Sequence, residues 1–270
     1  MRAASDGLPA RPGGPWTREK LGYLKKYAEA FMTAMAKKKW ERLAYIDLLA
    51  GPGRDANRET GEDFEGSPLI ALNVQPPFHK LYLGDVNARH VQTLRRRIPA
   101  EDLARRVDLQ VGDCHERVKK VVRDLSRGTL GLAFVDPEGF EVRFELFREL
   151  ARAQVDILFL FPTGGVARNL RLFAVREHSP MDGLIEDWRN LPVAKRAAGK
   201  RLTSADEAKL QRSMVGEFQK RMAFWGFTYH DRDDPALKNE KRAIMCSSRR
   251  PPRHLRPEER RDQNEGGMSP

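Results

Sequence analysis

The chain is expected to fold as an α/β protein, with a mostly parallel sheet, helices on both faces and an antiparallel hairpin at the end. Three observations point there. Short apolar runs alternate with amphipathic stretches between Ala44 and Phe161. The runs are brief enough to be strands buried on both faces. Several end on an acidic residue beside a glycine, at the carboxyl end of a strand, where an open parallel sheet holds its ligand.

Met1 to Pro15 is rich in Gly, Pro and Ala and is expected to be unfolded. It has no apolar centre of the signal-peptide kind, so a cytoplasmic protein is expected. A helix is expected from Thr17, as N-cap, to about Lys38, with Leu21, Leu24, Ala28, Phe31 and Met35 along one side. Ala44 to Leu49 is the first strand. The polar, charged segment Arg54 to Gly66 is expected to be a surface loop before a helix from Ser67 to Asn73, with Ser67 as N-cap and Pro68 in the first turn. Strands then follow at Leu81–Gly84, Val107–Val111, Leu130–Val135 and Val155–Phe161. Helices at Ala88–Ile98, His115–Ser126 and Arg143–Ala151 lie between them. That alternation is what a doubly covered parallel sheet requires.

After Pro162 a polar helical segment, Asn169 to about Trp188, is expected within an insertion of about 166–203. Ser204 and Glu207 read as a capping box. Leu210, Met214, Phe218 and Met222 mark a helical stripe, and Phe224–His230 and Arg242–Cys246 read as the closing strands. One domain of about 16–248 is expected, followed by an unfolded basic tail, 249–270.

The chain has 270 residues and a formal net charge of +11. That excess favours a polyanionic partner, most simply nucleic acid. Runs such as Lys37-Lys38-Lys39 and Arg95-Arg96-Arg97 read equally well as solvated helix faces. No apolar stretch is long enough to cross a bilayer. Cys114 and Cys246 have no metal-ligand spacing and read as reduced thiols, so no metal is expected.

The chemistry sits at the strand ends. The first strand ends in Asp47, followed by Ala50-Gly51-Pro52-Gly53. Gly51 and Gly53 let the backbone approach a nucleotide-like ligand. An aspartate in place of a phosphate-gripping Lys-Ser/Thr pair suits a ligand with an ammonium group or hydroxyls, such as S-adenosylmethionine. Asp85 is placed to accept from two ribose hydroxyls, or to cap the next helix. Asp113 is placed to accept from an adenine amino group, to cap, or to do both. Asp136-Pro137-Glu138-Gly139 resembles the (Asp/Asn)-Pro-Pro-aromatic motif of amino-group methyltransferases. In that motif the first side chain and a backbone carbonyl hold the target nitrogen and the aromatic stacks on the base. Glu138 and Gly139 depart from it, and Phe140 is the aromatic one residue on. Arg168 and Asn169, after the fifth strand, are candidates to grip a phosphate or a carbonyl, or simply to shape the loop.

Taken together, Trp16, Lys20, Leu21, Tyr27, Tyr45-Ile46-Asp47, Ala50-Gly51-Pro52-Gly53, Glu65-Gly66-Ser67-Pro68, Gly112-Asp113, Asp136-Pro137, Phe161-Pro162-Thr163 and Arg168-Asn169 resemble the three-Cys-motif partner family, TcmP. The match runs from about Trp16 to Ser248. That family looks like a branch of the Rossmann-like class I S-adenosylmethionine-dependent methyltransferases, whose sheet has seven strands. The glycine bend followed by Gly-Ser-Pro is also similar to RlmJ-type ribosomal RNA adenine N6-methyltransferases. The resemblance implies cofactor contact at Asp47, Gly51, Gly53, Asp85 and Asp113, and an acceptor facing Asp136. Its name implies a protein partner with a three-cysteine motif. Three functions follow as expectations: methylation of an amino nitrogen on nucleic acid, methylation of a small-molecule or protein amine, or a cofactor-binding module that has lost the reaction.

Overall fold

The computed structural model describes residues 2–162, 165, 169, 172–173, 176–197, 203–230 and 242–248. The expected tail 249–270 lies outside the described residues.

The expected parallel body is present. Strands β3 (Arg42–Asp47), β6 (Lys80–Asp85), β7 (Val107–Val111), β8 (Thr129–Val135) and β9 (Val155–Phe161) pair in parallel in the spatial order β9-β8-β3-β6-β7. Every residue of β8 is buried, as continuous apolar runs in a doubly covered sheet require. Arg242–Ser248 (β11) runs antiparallel beside β9, and Phe227–His230 (β10) runs antiparallel beside β11. The fold is Rossmann-like α/β, with α5 (Cys114–Asp124), α6 (Phe144–Leu150) and the helix Ser204–Phe224 on one face. On the other face lie α1 (Pro15–Met35), α2 (Ser67–Asn73), α3 (Ala88–Arg97) and α4 (Ala100–Arg105). Among the described residues no helix is long and apolar enough to cross a membrane.

Two regions differ from expectation and together build a second sheet. Residues 2–13, expected to be unfolded, form β1 (Arg2–Ala3) and β2 (Pro9–Gly13). The expected loop from Arg54 to Gly66 is a hairpin of β4 (Arg54–Asn57) and β5 (Asp63–Glu65). β2 pairs in parallel with β4, giving the order β1-β2-β4-β5. Ala10 and Ala56 are fully enclosed where the two strands meet. Polar composition misled here because the sheet is held by ion pairs and small residues rather than by a large apolar face.

Arg97 ties this sheet to the main body. It donates twice to Asp6, and also to the carbonyls of Leu8, Pro9 and Pro52, at 2.7–3.2 Å. Its side chain is 3% exposed. The last arginine of an apparent surface run is therefore a buried clamp, and Arg106, donating to the Leu72 and Phe78 carbonyls and to Asp102, is committed in the same way.

Helix ends also moved. Gly14, not Thr17, caps α1, because Pro15 fits the first helical turn, and Thr17 is buried inside the helix. Gly66 rather than Ser67 caps α2. The capping box belongs to Thr203 and Asp206, one residue before the expected pair. Of the helix expected from Asn169 to about Trp188, the described residues Asn169, Leu172 and Phe173 are helical, whereas Pro180–Gly183 and Trp188–Asn190 are 3-10 turns.

Candidate active site at the strand tips

Asp47, Asp85, Asp113 and Asp136 all stand at the carboxyl ends of neighbouring parallel strands. The bend after β3 is shaped by Gly51 (φ 63°) and Gly53 (φ 95°), both in the left-handed region that penalises a Cβ. At Gly53 a Cβ would also stand 2.8 Å from Leu94 Cδ1. Asp85 Oδ2 accepts from Gly51 N at 2.9 Å, fastening the bend to the next strand tip, while its Oδ1 accepts from Asn87 N at 2.7 Å.

Asp47 is 1% exposed and points inward. It accepts from Leu49 N at 3.2 Å and from the Tyr45 hydroxyl at 3.4 Å, and Ser67 bonds it as well. Burial pushes its carboxyl up to about 7, with Asp136 adding to the rise while Ser67, Leu49 and Arg11 oppose it. Asp47 therefore braces the bend from beneath. Ser67, expected as a cap, spends its hydroxyl here instead.

Asp113 caps α5, its Oδ1 accepting from His115 N at 2.9 Å and Glu116 N at 3.3 Å, and its side chain is 56% exposed. His115 Nε2 accepts from Arg143 N at 3.0 Å, so the ring proton sits on Nδ1 and is donated to Asp113 Oδ1 at 3.1 Å. The imidazole is a staple between the third strand tip and the start of α6. Asp113, Cys114 and His115 do come within ligand distance of one another. Both imidazole nitrogens are engaged, however, and burial pushes the Cys114 thiol up to about 12, which suits a structural cluster.

Asp136 makes an ion pair with Lys20 from α1, and each residue is 6% exposed. Lys20 stands next to Leu21 within the buried stripe Thr17, Leu21, Leu24, Ala28. A lysine at such a position signals a buried carboxylate partner, and that signal was available in the sequence. Beyond Pro137, Glu141 closes the loop by accepting from Glu138 N and Gly139 N at 2.6 and 2.8 Å. Phe140 packs edge-on against Phe173 at 5.5 Å and 87°. A Cβ at Gly165 would come within 3.1 Å of the Phe140 ring. Asn169 donates to Gly165 O at 3.0 Å, a bond within its own segment. Arg168 lies outside the described residues.

Two contributors have no motif that announces them. Arg11 of β2 reaches Asp55 at 2.9 Å and Glu138 at 3.1 Å. Val86, the residue after Asp85, is 72% exposed, and Val111, opposite Asp85 in the β6–β7 register, is exposed as well. Lone exposed apolar residues are ordinary, but Val111 stands beside Asp85 at the strand tips.

No family model matches the chain, and no curated protein matches it. Among solved structures it is similar to protein LPL1258 of Legionella pneumophila, at 12% identity and TM-score 0.45, over 86% of this chain and 85% of that one. It is also similar to magnesium protoporphyrin IX methyltransferase of Synechocystis with bound SAH, at 12% identity and TM-score 0.40, over 85% and 83% of the two chains. A third is Trm1 of Pyrococcus horikoshii in complex with S-adenosyl-L-methionine, at 11% identity and TM-score 0.46, over 92% of this chain and 58% of that one. At these identities the likeness is one of fold.

Proposed function

We propose that the chain is an S-adenosylmethionine-dependent methyltransferase acting on an amino nitrogen of a nucleic acid base. The observation that carries this reading is the convergence at one end of the sheet of a left-handed glycine bend, Asp85 fastened to it, and the buried Asp136. These features fit the cofactor's parts. The bend admits a close-lying ligand at Gly51, Asp85 would accept from ribose hydroxyls, and exposed Val111 offers an adenine ring an apolar contact, with half-exposed Asp113 two residues on.

When bound, the cofactor supplies an electrophilic methyl group. The chain's own residues position the acceptor. Lys20 neutralises and orients Asp136, whose carboxylate accepts an N–H from the amine and holds its lone pair in line. Phe140, four residues on and packed edge-on against Phe173, would be the ring that stacks on the base. The net charge of +11 supports a polyanion as the carrier of the amine. The TcmP-like pattern supports, in addition, a protein partner with a three-cysteine motif.

The test is to incubate the purified chain with labelled S-adenosylmethionine and total RNA, DNA and protein. Label in RNA or DNA is expected. Label confined to protein or to small molecules overturns the substrate class. Calorimetry tests the cofactor directly: the unmodified chain should bind S-adenosylmethionine, and Asp85→Ala, which removes the proposed ribose acceptor, should weaken that binding at least tenfold. No binding by the unmodified chain would overturn the assignment.

A further inference from the structure

We infer that Arg11 is the residue that grips the carboxylate of the cofactor's amino-acid end, and that Glu138 holds its place until the cofactor arrives. This rests on the cofactor assignment above and goes beyond it, because nothing in the strand-tip motifs points to the amino-terminal strand.

The placement comes from the second sheet. β2 runs parallel to β4 with Arg11 opposite Asp55. Asp55 is almost fully enclosed and takes Arg11 Nε at 2.9 Å, which fixes the plane of the guanidinium. The group then lies over the glycine bend: a Cβ on Gly51 would stand 3.8 Å from both Arg11 Cζ and Nη1. Its charge also reaches Asp136 and Asp47, so it lies near the acceptor side of the site. A permanent cation in a defined plane, beside the bend that admits the ligand and near the acceptor carboxylate, suits a carboxylate at the far end of a bound amino-acid nucleoside.

The partner on the open side supports this further. Arg11 Nη1 donates to Glu138 Oε1 at 3.1 Å, and the Glu138 side chain is 72% exposed. An exposed pair of this kind is weak and readily exchanged. The guanidinium carries five donors, so a ligand carboxylate can dock in the two-pronged manner that gives such pairs their strength. Glu138 is a carboxylate already sitting where another would bind. Its release also frees the residue next to Pro137, linking occupation of the cofactor site to the acceptor loop.

The experiment compares two ligands by calorimetry: S-adenosylmethionine and its decarboxylated form, which keeps the amine, the sulfonium and the nucleoside. Arg11→Ala should lose at least tenfold in affinity for the first and little for the second. Glu138→Gln, an exposed change that leaves the core alone, should tighten binding of the first only. Equal losses for both ligands in Arg11→Ala, or no change in Glu138→Gln, would overturn the inference and leave the cofactor assignment standing. Failure of the unmodified chain to bind either ligand would overturn both.

Discussion

Lys20, on the first helix, is bonded to Asp136, 116 residues further along the chain at the tip of the fourth parallel strand, and both are buried. A pair so enclosed is costly to break from one side only. Lys20→Met leaves a carboxylate without its counter-charge, and a loss of about 3–5 kcal/mol is expected by urea denaturation. Adding Asp136→Leu should recover most of that stability, since the stranded charge is gone, while methyl transfer stays absent. A single mutant with an unchanged denaturation midpoint would show that the pair does not carry weight in the fold.

The comparison between residues read in sequence and residues seen in place follows from the range of the interactions. Val155–Phe161 was legible to the residue because its near-continuous apolar run is what an inner strand of a covered sheet requires, and Val107–Val111 because its alternation suits an edge strand with one face buried. The strand-tip positions of Asp85, Asp113 and Asp136 were legible because each closely follows a run that reads as a strand. Arg11 was not legible, since its role depends on β2 pairing with β4 some 44 residues later, and two short polar strands leave no periodic trace. Lys20 lay between these cases: its place in an apolar stripe pointed to a carboxylate, though not to which one. Arg97 shows the converse error, where a run of like charges hid one member that is wholly internal.

Arg97→Ala removes a guanidinium whose donors hold Asp6, Leu8, Pro9 and Pro52 together. The carbonyl groups it leaves are partly buried, so the amino-terminal strands should detach from the bend. A loss of at least about 3 kcal/mol is expected, because hydrogen bonds to a charged group contribute about 1.5–3 kcal/mol each and cannot all be replaced. Limited proteolysis reads this directly, with new cleavage within residues 2–13. Arg97→Lys should recover little, because an ammonium cannot span carbonyls in a planar fork. Wild-type protease resistance in the alanine variant would contradict the clamp.

His115→Ala cuts the staple between Asp113 and the start of α6. The Arg143 amide loses its acceptor, which costs about 1–3 kcal/mol if no water replaces it. The local effect is more telling than the global one. Hydrogen exchange at the Arg143 amide should accelerate while exchange in β3 and β8 stays slow. His115→Asn tests the chemistry, since an amide oxygen can take the Arg143 proton and restore protection where its reach allows.

Asp47 gives a pH dependence whose sign can be worked out. Its carboxyl titrates at about 7 in the folded protein against 3.8 for the ordinary group, chiefly because burial disfavours the charge. Between those values the folded state keeps a proton that the unfolded chain has released. Asp47 thus favours folding fully only below about pH 4, and that contribution is lost as pH rises through about 7, a change on the order of 4 kcal/mol at most. Asp47→Asn is neutral throughout and has no such slope. Its hydrogen bonds differ, so its absolute stability is not the readout; the difference from wild type is. Urea denaturation at pH 5 and pH 8 should show that difference moving in favour of the mutant by about 2.5 kcal/mol at the higher pH. An unchanged difference would mean that Asp47 is ionised in the fold at both pH values, held so by Arg11 and the Ser67 and Leu49 hydrogen bonds, and the brace beneath the bend would then be ionic.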